Sequence, residues 1–166
     1  MTTVTQNYGG YTDLTVTNLQ SLVNSGGWQS DVIDNLSSVK AIDYEIFIKL
    51  TTANTAPAND KAVYVYVCEA IKNVVPSWLF DDSGSLTYPT GVEGTAVIAS
   101  VGTNLRLLGV MPYVNAAQVL QSVFKLSNAV GSAMPDGFSI MIFNYSGAAL
   151  ATGCVVGYKA IKQDIT

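Results

Sequence analysis

The carboxylates are the side chains of this sequence whose types and spacing come closest to acid–base chemistry. Asp43 and Glu45 lie two positions apart in an alternating strand pattern, so their carboxylates share one face about 7 Å apart, near the separation used by glycosidase carboxylate pairs. Asp81 and Asp82 are adjacent in a Gly/Ser-rich segment that lacks the spacing of a calcium loop, and aspartates in such segments commonly bond their own backbone. The pattern favours surface and turn roles for all four. A glycan hydrolase using Asp43 and Glu45 is the weakest alternative.

Most other catalytic chemistries are excluded by composition. The chain contains no histidine, which removes Ser-His-Asp and Cys-His nucleophile pairs and His-containing zinc or haem sites. Cys68 and Cys154 lie in apolar, strand-like runs, which predicts two buried thiols, with a disulfide as the minor alternative. We therefore expect a protein that is not an enzyme and that has no cofactor and no metal site.

Length and charge indicate one globular domain. The 166 residues are 49% apolar but only 12% charged, and the net charge is −4. A chain of this size can bury a sizeable core. An acidic balance with scattered basic residues disfavours nucleic acid as a partner, and the apolar runs are too short to cross a membrane. The first six residues lack the features of a signal peptide, so we expect synthesis in a cytoplasm and no membrane partner.

Hydrophobic periodicity of two predicts a β protein. From Ile42 to Thr51 the even positions are apolar and the odd ones polar, with Phe47 as the exception. Comparable runs separated by Gly, Pro, Asn and Asp predict about eight strands, which indicates an all-β sandwich, jelly roll or barrel. The predicted strands are Trp28–Asp34, Ile42–Thr51, Ala62–Ile71, Val97–Val101, Asn104–Tyr113, Val119–Ser127, Phe138–Tyr145 and Cys154–Ile161.

Two segments depart from this pattern. Leu19, Leu22 and Val23 have helical spacing before a Gly-Gly stop, so residues 1–27 are predicted to form an N-terminal arm with a short helix, followed by one domain at 28–166. Residues 73–93 are rich in loop-forming residues. A segment of this length is typical of a functional or partner-ordered loop.

Aromatic residues outnumber what a two-layered sandwich needs for its core. The chain has 9 Tyr, 5 Phe and 2 Trp, and the strand Phe138–Tyr145 is apolar on both faces. Such a strand lies either beneath a covering loop or in a subunit interface, where Tyr, Phe and Met are enriched. The residues that we predict for an interface between copies or with a larger assembly are Tyr8, Tyr11, Tyr64, Tyr66, Met141, Phe143 and Tyr145.

Several segments together resemble a known group of viral proteins. They are Gly27–Asn35, Asp43–Ile48, Val63–Val67, Leu126-Ser127, Met134–Ile140 and Asn144–Leu150. In order and spacing they resemble the small jelly-roll virion proteins of tailed bacteriophages, of the capsid decoration or head-fibre-base type, over about residues 14–161. The resemblance implies an antiparallel jelly-roll sandwich and a non-enzymatic structural protein on the capsid surface. It further implies a homo-oligomer, often a trimer, that contacts the major capsid protein or another virion protein.

A carbohydrate-binding β-sandwich is the main alternative function. Exposed aromatic side chains stack on sugar rings, and the candidate platforms in this sequence are Trp28 and Trp78, or exposed tyrosines. The two functions differ in geometry. A glycan site needs an exposed aromatic ring beside polar groups, whereas a structural contact needs a patch that matches a neighbouring copy.

Overall fold

The computed structural model describes the chain in segments. They comprise residues 3–37, 40–58, 61–72, 91–96 and 105–164, together with the backbone of residues 78–80 and 165. The described residues form twelve strands and one short helix. These are β1 (Val4–Tyr8), β2 (Thr12–Asp13), β3 (Gly27–Gln29), β4 (Ile33–Asp34), β5 (Ala41–Thr51), β6 (Ala62–Lys72), β7 (Trp78–Phe80), β8 (Gly94–Ala96), β9 (Leu105–Pro112), β10 (Val119–Lys125), α1 (Ser127–Val130), β11 (Gly137–Asn144) and β12 (Val155–Ile165).

The strands pair as nested antiparallel couples, which is the connectivity of a jelly roll. β1 and β2 pair with β12, β3 and β4 with β11, β5 with β10, and β6 with β9. A five-stranded sheet contains β1, β2, β12, β5 and β10, and a seven-stranded sheet contains β7, β9, β6, β11, β3, β4 and β8. The predicted all-β antiparallel sandwich is confirmed. Seven of the eight predicted strands have counterparts, and the eighth, Val97–Val101, lies outside the described residues.

The main core lies between the two sheets. On β5 the even positions from Tyr44 to Leu50 are buried and the odd ones are partly exposed, as the alternation predicts. The seven-stranded sheet supplies the facing side chains of β6 and β11, which are Val63, Val65, Val67, Phe138, Ile140 and Ile142. Each such side chain contributes about 1.5–3 kcal/mol when buried, so this layer is the principal source of stability.

The alternation fails at one end of β5. Ile42 was predicted to face the core but is 38% exposed, whereas Ala41 is buried. The register with β12 shifts there, because Lys162 pairs with Ala41 and Ile161 pairs with Asp43. Ile42 is the extra residue of this irregularity, and an extra residue locally re-aims a strand's side chains.

The predicted helix near residue 19 is wrong. Residues 17–21 form turns, and Ser21 and Ser25 have positive φ angles of 62° and 63°. These bends let Leu19 and Leu22 enter the core while Val23 is 63% exposed. A continuous helix would have placed all three side chains on one face.

The N-terminal segment is built into the five-stranded sheet. β1 runs along β12 with five paired residues, and β2 pairs with β12 further along. All side chains of β1 are exposed, so this strand is held by backbone pairing at a sheet edge. The predicted arm 1–27 thus contributes two strands and the core residues Leu19 and Leu22.

A second, smaller core lies on the outer face of the seven-stranded sheet. Its buried members are Cys68, Ala70, Ala96, Met141 and Phe143, with Val32, Tyr66, Leu105 and Tyr145 packed against them. Cys154 belongs to the main core instead. Both cysteines are buried and form no disulfide, which confirms the prediction of two buried thiols.

Candidate functional site

The predicted interface residues fall on opposite faces of the sandwich. Tyr8 and Tyr11 lie on the five-stranded sheet or at its edge and are exposed. Tyr64, Tyr66 and Tyr145 lie together on the outer face of the seven-stranded sheet and are half-buried. The structure therefore presents two separate candidate surfaces.

Met141 and Phe143 are corrections to the predicted interface. Their side chains are 0% and 1% exposed, because the second core covers them. The Phe143 ring fits against Gly27 of β3, where an added Cβ would lie 2.6 Å from the ring. Neither side chain can contact a partner directly, and of the two explanations for this apolar strand, the one with a covered outer face holds.

The three remaining tyrosines form the first surface, here named the tyrosine basin. Tyr64 and Tyr66 point the same way from β6, and Tyr145 follows the end of β11. The basin, with a volume of about 330 Å³, is lined by Lys61, Ala62, Tyr64, Tyr66 and Tyr145. The rings of Tyr64 and Tyr145 meet edge to face, with centroids 6.0 Å apart. Alternation along β6 predicted from the sequence that Tyr64 and Tyr66 share a face, but not that Tyr145 joins them.

The second surface, here named the Phe47 patch, lies on the outer face of the five-stranded sheet. It is an open concavity of about 650 Å³ lined by Tyr11, Asp13, Glu45, Phe47, Val123, Val155 and Lys159. Phe47 pairs in register with Val123 of β10 and Gly157 of β12. Val123 is 59% exposed, so an apolar strip crosses three strands.

Tyr11 lies over this strip in space that Gly157 leaves open because it has no side chain. Its ring meets Phe47 edge to face at a centroid distance of 6.2 Å, and a Cβ at Gly157 would overlap the Tyr11 hydroxyl and the Thr12 carbonyl. Burial raises the pKa of Tyr11 to about 12, with a hydrogen bond to Asp13 and the charge of that carboxylate adding to the shift. Tyr11 is therefore a neutral phenol at physiological pH.

Charges of both signs surround the Phe47 patch. Glu45 is paired in register with Lys125 on one side and Lys159 on the other. Asp13 lines the same concavity. A surface of this kind matches a copy of itself when the opposite charges of two copies are brought face to face.

Sequence analysis missed most of the Phe47 patch. It identified Tyr11 but not Phe47, Val123 or Val155. Phe47 was the visible signal, because it is the apolar exception among the odd positions of β5 from Asp43 to Thr51. Val123 and Val155 gave no comparable signal, because their outward direction depends on which strands pair with β5.

The carbohydrate platform predicted at the tryptophans is not formed by Trp28. Trp28 is 0% exposed, and its indole N–H donates to Glu93 Oε1 at 2.8 Å. The side chain of Trp78 lies outside the described residues. A sugar ring therefore cannot stack on Trp28, and this prediction is corrected.

Glu93 anchors the segment that covers the second core. Its carboxylate also accepts hydrogen bonds from the backbone and the side-chain N–H groups of Asn18, each at 2.8 Å, and its own N–H donates to Asp31. Burial is the largest influence on its pKa and raises it, but the hydrogen bonds from Trp28 and Asn18 together outweigh burial and lower the pKa. The carboxylate is thus ionised and structural.

Asp43 and Glu45 have different surroundings on the outer face of β5. Asp43 accepts hydrogen bonds from the N–H and the hydroxyl of Ser127 at 3.0 and 2.8 Å, which ends β10 and begins α1. Glu45 lines the Phe47 patch. Asp81 and Asp82 lie outside the described residues. Within the described segments, no cluster of three or more acidic or cysteine side chains is placed to hold a metal ion.

Comparison with known proteins identifies no family for this chain. No protein-family model matches the chain, and no curated protein sequence matches it. Among the described residues, no helix is both long and apolar enough to span a membrane.

Proposed function

We propose that the chain is a non-enzymatic structural protein of a bacteriophage virion, which decorates the capsid surface and associates with copies of itself. The observation that carries the proposal is the Phe47 patch, an exposed apolar strip bordered by both signs of charge. The resemblance of several segments to jelly-roll virion proteins supplies the virion setting, and the jelly-roll topology agrees with it.

A second copy of the chain is the occupant that the charges of the Phe47 patch favour. Glu45 and Asp13 lie beside Lys125 and Lys159 on one surface. The described residues include no ion pair at Glu45. A copy placed across a symmetry axis brings lysines opposite these carboxylates while the apolar strips meet.

The Phe47 patch forms the centre of the proposed contact rather than all of it. A stable interface involves about 20–30 residues a side, and only seven line the concavity. The edges of the five-stranded sheet, β1 and β10, extend the same surface. Patches that meet face to face pair two copies about a twofold axis, so the trimer implied by the resemblance needs three patches to converge on a threefold axis instead. Either closed assembly repeats each weak contact and converts modest affinities into avidity for a capsid.

Mass measurement tests self-association directly. Size-exclusion chromatography with light scattering should give a small multiple of 17.6 kDa at micromolar concentration. Val123→Lys should shift the protein to monomer, because it places a charge in the apolar strip. Val23→Lys is the matched control, since Val23 is a valine of similar exposure, at 63% against 59%, and does not line the Phe47 patch.

Particle association tests the virion role. Particles of the phage that encodes the chain are purified and analysed by mass spectrometry. The chain should be detected in them at a copy number comparable with that of the capsid proteins. A wild-type monomer in solution, or equal dissociation by Val23→Lys, would refute self-association through the Phe47 patch. Absence of the chain from particles would refute the virion role.

A further inference from the structure

The tyrosine basin has a rigid floor. Tyr66 packs against the second core, and its ring meets buried Phe143 edge to face with centroids 5.7 Å apart. Tyr64 and Tyr145 hold each other in the same way at 6.0 Å. The three rings are therefore fixed before any ligand arrives, which lowers the entropic cost of binding.

The three phenol hydroxyls are open. Buried tyrosines of this chain use their hydroxyls internally: Tyr44 donates to Asn35 Oδ1 at 2.9 Å, and Tyr113 donates to the carbonyl of Thr55 at 2.6 Å. In the part of the chain that the structure describes, no hydrogen bond involves the hydroxyls of Tyr64, Tyr66 or Tyr145. Burial raises the pKa of Tyr66, with Tyr64 and Tyr145 adding to the shift, which is consistent with neutral phenols close together.

Among the described residues that line the basin, the charged side chain is that of Lys61. Lys61 is exposed and lines the basin, and none of the described residues that line it is acidic. The ion pairs among the described residues are Lys40–Asp136 and Arg106–Glu69, so the Lys61 ammonium is available to a ligand. This differs from the Phe47 patch, where carboxylates and lysines alternate.

We propose that the tyrosine basin binds a carboxylate-bearing saccharide. The apolar C–H face of a sugar ring stacks on the tyrosine rings, its hydroxyls exchange hydrogen bonds with the free phenols, and its carboxylate pairs with Lys61. This inference goes beyond the virion role and does not depend on it.

A saccharide fits these groups better than a protein surface does. Small-ligand sites are concave, aromatic-lined and contain a few convergent polar groups, and at about 330 Å³ the basin is of that size. An interface between copies would leave three phenols and an unpaired ammonium to be satisfied by one complementary surface. The exposed Leu107 and Val110 on neighbouring β9 make a second copy the competing occupant.

Isothermal titration calorimetry tests the proposal with tetragalacturonic acid, an α2,8-linked sialic acid tetramer and a hyaluronan tetrasaccharide, against neutral maltotetraose. At least one acidic probe should bind with a Kd tighter than about 1 mM, and maltotetraose should bind at least tenfold more weakly, as expected when a charge-assisted contact is lost. Lys61→Met should weaken the acidic probe by about tenfold. Tyr64→Ala should weaken both classes of probe.

Matched controls lie on the other sheet. Lys159→Met removes a lysine of the Phe47 patch and Tyr8→Ala removes an exposed tyrosine, and both should leave the affinity unchanged. Failure of all three acidic probes to bind would overturn the proposal, as would equal affinity for maltotetraose. A fall in molecular mass on Tyr64→Ala would also overturn it, because a second copy would then occupy the basin. The affinity outcomes do not bear on the Val123 test of self-association, so the two proposals can fail independently.

Discussion

The outer faces of the two sheets differ in how far the chain itself covers their apolar residues. On the seven-stranded sheet, the apolar residues Met141 and Phe143 are covered by the chain itself, through Val32, Ala96 and Leu105. On the five-stranded sheet, Tyr11 is the ring that packs against Phe47 among the described residues, and Val123 remains 59% exposed. An apolar outer strand face therefore indicates a partner only where the chain supplies no cover of its own.

The cover of the seven-stranded sheet depends on polar anchoring. Val32 donates its N–H to the Gly91 carbonyl at 3.1 Å, and Glu93 donates its N–H to Asp31. These bonds join the loop before β4 to the loop before β8. Because small apolar side chains such as Val32 and Ala96 bury little area individually, their positions require such fixed backbone contacts.

The largest expected contrast between the two faces is in truncation of a phenylalanine. Phe143→Ala should lower the free energy of unfolding by about 3–5 kcal/mol, the usual cost of removing a fully buried ring. Phe47→Ala should cost less than about 1.5 kcal/mol, because its ring is partly exposed, but should weaken self-association. Urea unfolding of both variants at one concentration, with light scattering beside it, checks the pair.

Equal destabilisation by the two phenylalanine truncations would contradict the comparison. It would mean either that the second core contributes little or that the Phe47 patch is already covered in the folded chain. A dilution series separates the two readings, since cover by a second copy makes the effect of Phe47→Ala depend on concentration.

Alternation predicted which residues share a face but not whether that face is covered. Tyr64 and Tyr66 were placed correctly because they are two apart on β6. Met141 and Phe143 were misplaced because their cover comes from Ala96 and Val32, which are distant in sequence and lie in segments without periodicity. Val123 was missed because the sequence does not show that its face lacks a cover. Its exposure follows from the position of β10 at the edge of the five-stranded sheet.

Local irregularities were also beyond the pattern. The helix predicted from Leu19, Leu22 and Val23 failed because backbone bends at Ser21 and Ser25 satisfy the same spacing with turns. Ile42 turned outward because of a register shift that is defined by β12 rather than by β5. Tertiary pairing overrides a local period in both cases.

The second prediction concerns the anchor of the cover. Glu93→Gln should lower the free energy of unfolding at pH 7 by about 1.5–3 kcal/mol, the range for hydrogen bonds to a charged group. The carboxylate accepts three hydrogen bonds, two at Oε1 from the Asn18 backbone and the Trp28 indole and one at Oε2 from the Asn18 side chain. In either orientation the NH₂ of an amide faces at least one of these donors. Glu45→Gln on the opposite sheet is the control, compared in the monomeric Val123→Lys background so that self-association does not contribute, with an expected change within about 0.5 kcal/mol.

The pH dependence of the Glu93 effect has a definite sign. Folding lowers the pKa of Glu93 below its ordinary value of 4.5, so the folded protein favours the ionised form. This contribution is fully present above pH 4.5 and is lost as the pH falls through the lower folded pKa. The difference between wild type and Glu93→Gln should therefore shrink in unfolding curves recorded at successively lower pH, and a difference that grew on acidification would contradict the assigned hydrogen bonds.

The third prediction tests how Tyr11 is seated on the open face. Gly157→Ala should cost about 1–3 kcal/mol, the usual range for overpacking, because the new Cβ overlaps the Tyr11 hydroxyl and the Thr12 carbonyl. Displacing Tyr11 should also weaken self-association in light scattering. Gly10→Ala is the matched control, since a Cβ there meets nothing within 4 Å, and it should leave both stability and mass unchanged.

The smallest expected effect lies beneath the covered face. Ser139 is fully buried beside Cys68, its cross-strand partner. In the described part of the chain, its hydroxyl is the one buried side-chain oxygen with no hydrogen-bond partner. A buried hydroxyl without a partner costs about 1–3 kcal/mol, so Ser139→Ala should leave the free energy of unfolding unchanged or raise it by up to about 1 kcal/mol.

Ser30 provides the contrast for that measurement. It is equally buried, but its hydroxyl accepts the Ile140 N–H at 2.9 Å and donates to the Asp31 carbonyl at 2.7 Å. Ser30→Ala should therefore lower the free energy of unfolding by about 1–3 kcal/mol, because it leaves the Ile140 N–H unpaired. If Ser139→Ala destabilised the protein as much as Ser30→Ala, the second core would have to contain a polar contact at Ser139, and the cover over Met141 and Phe143 would not be the dry apolar layer that distinguishes this face from the Phe47 patch.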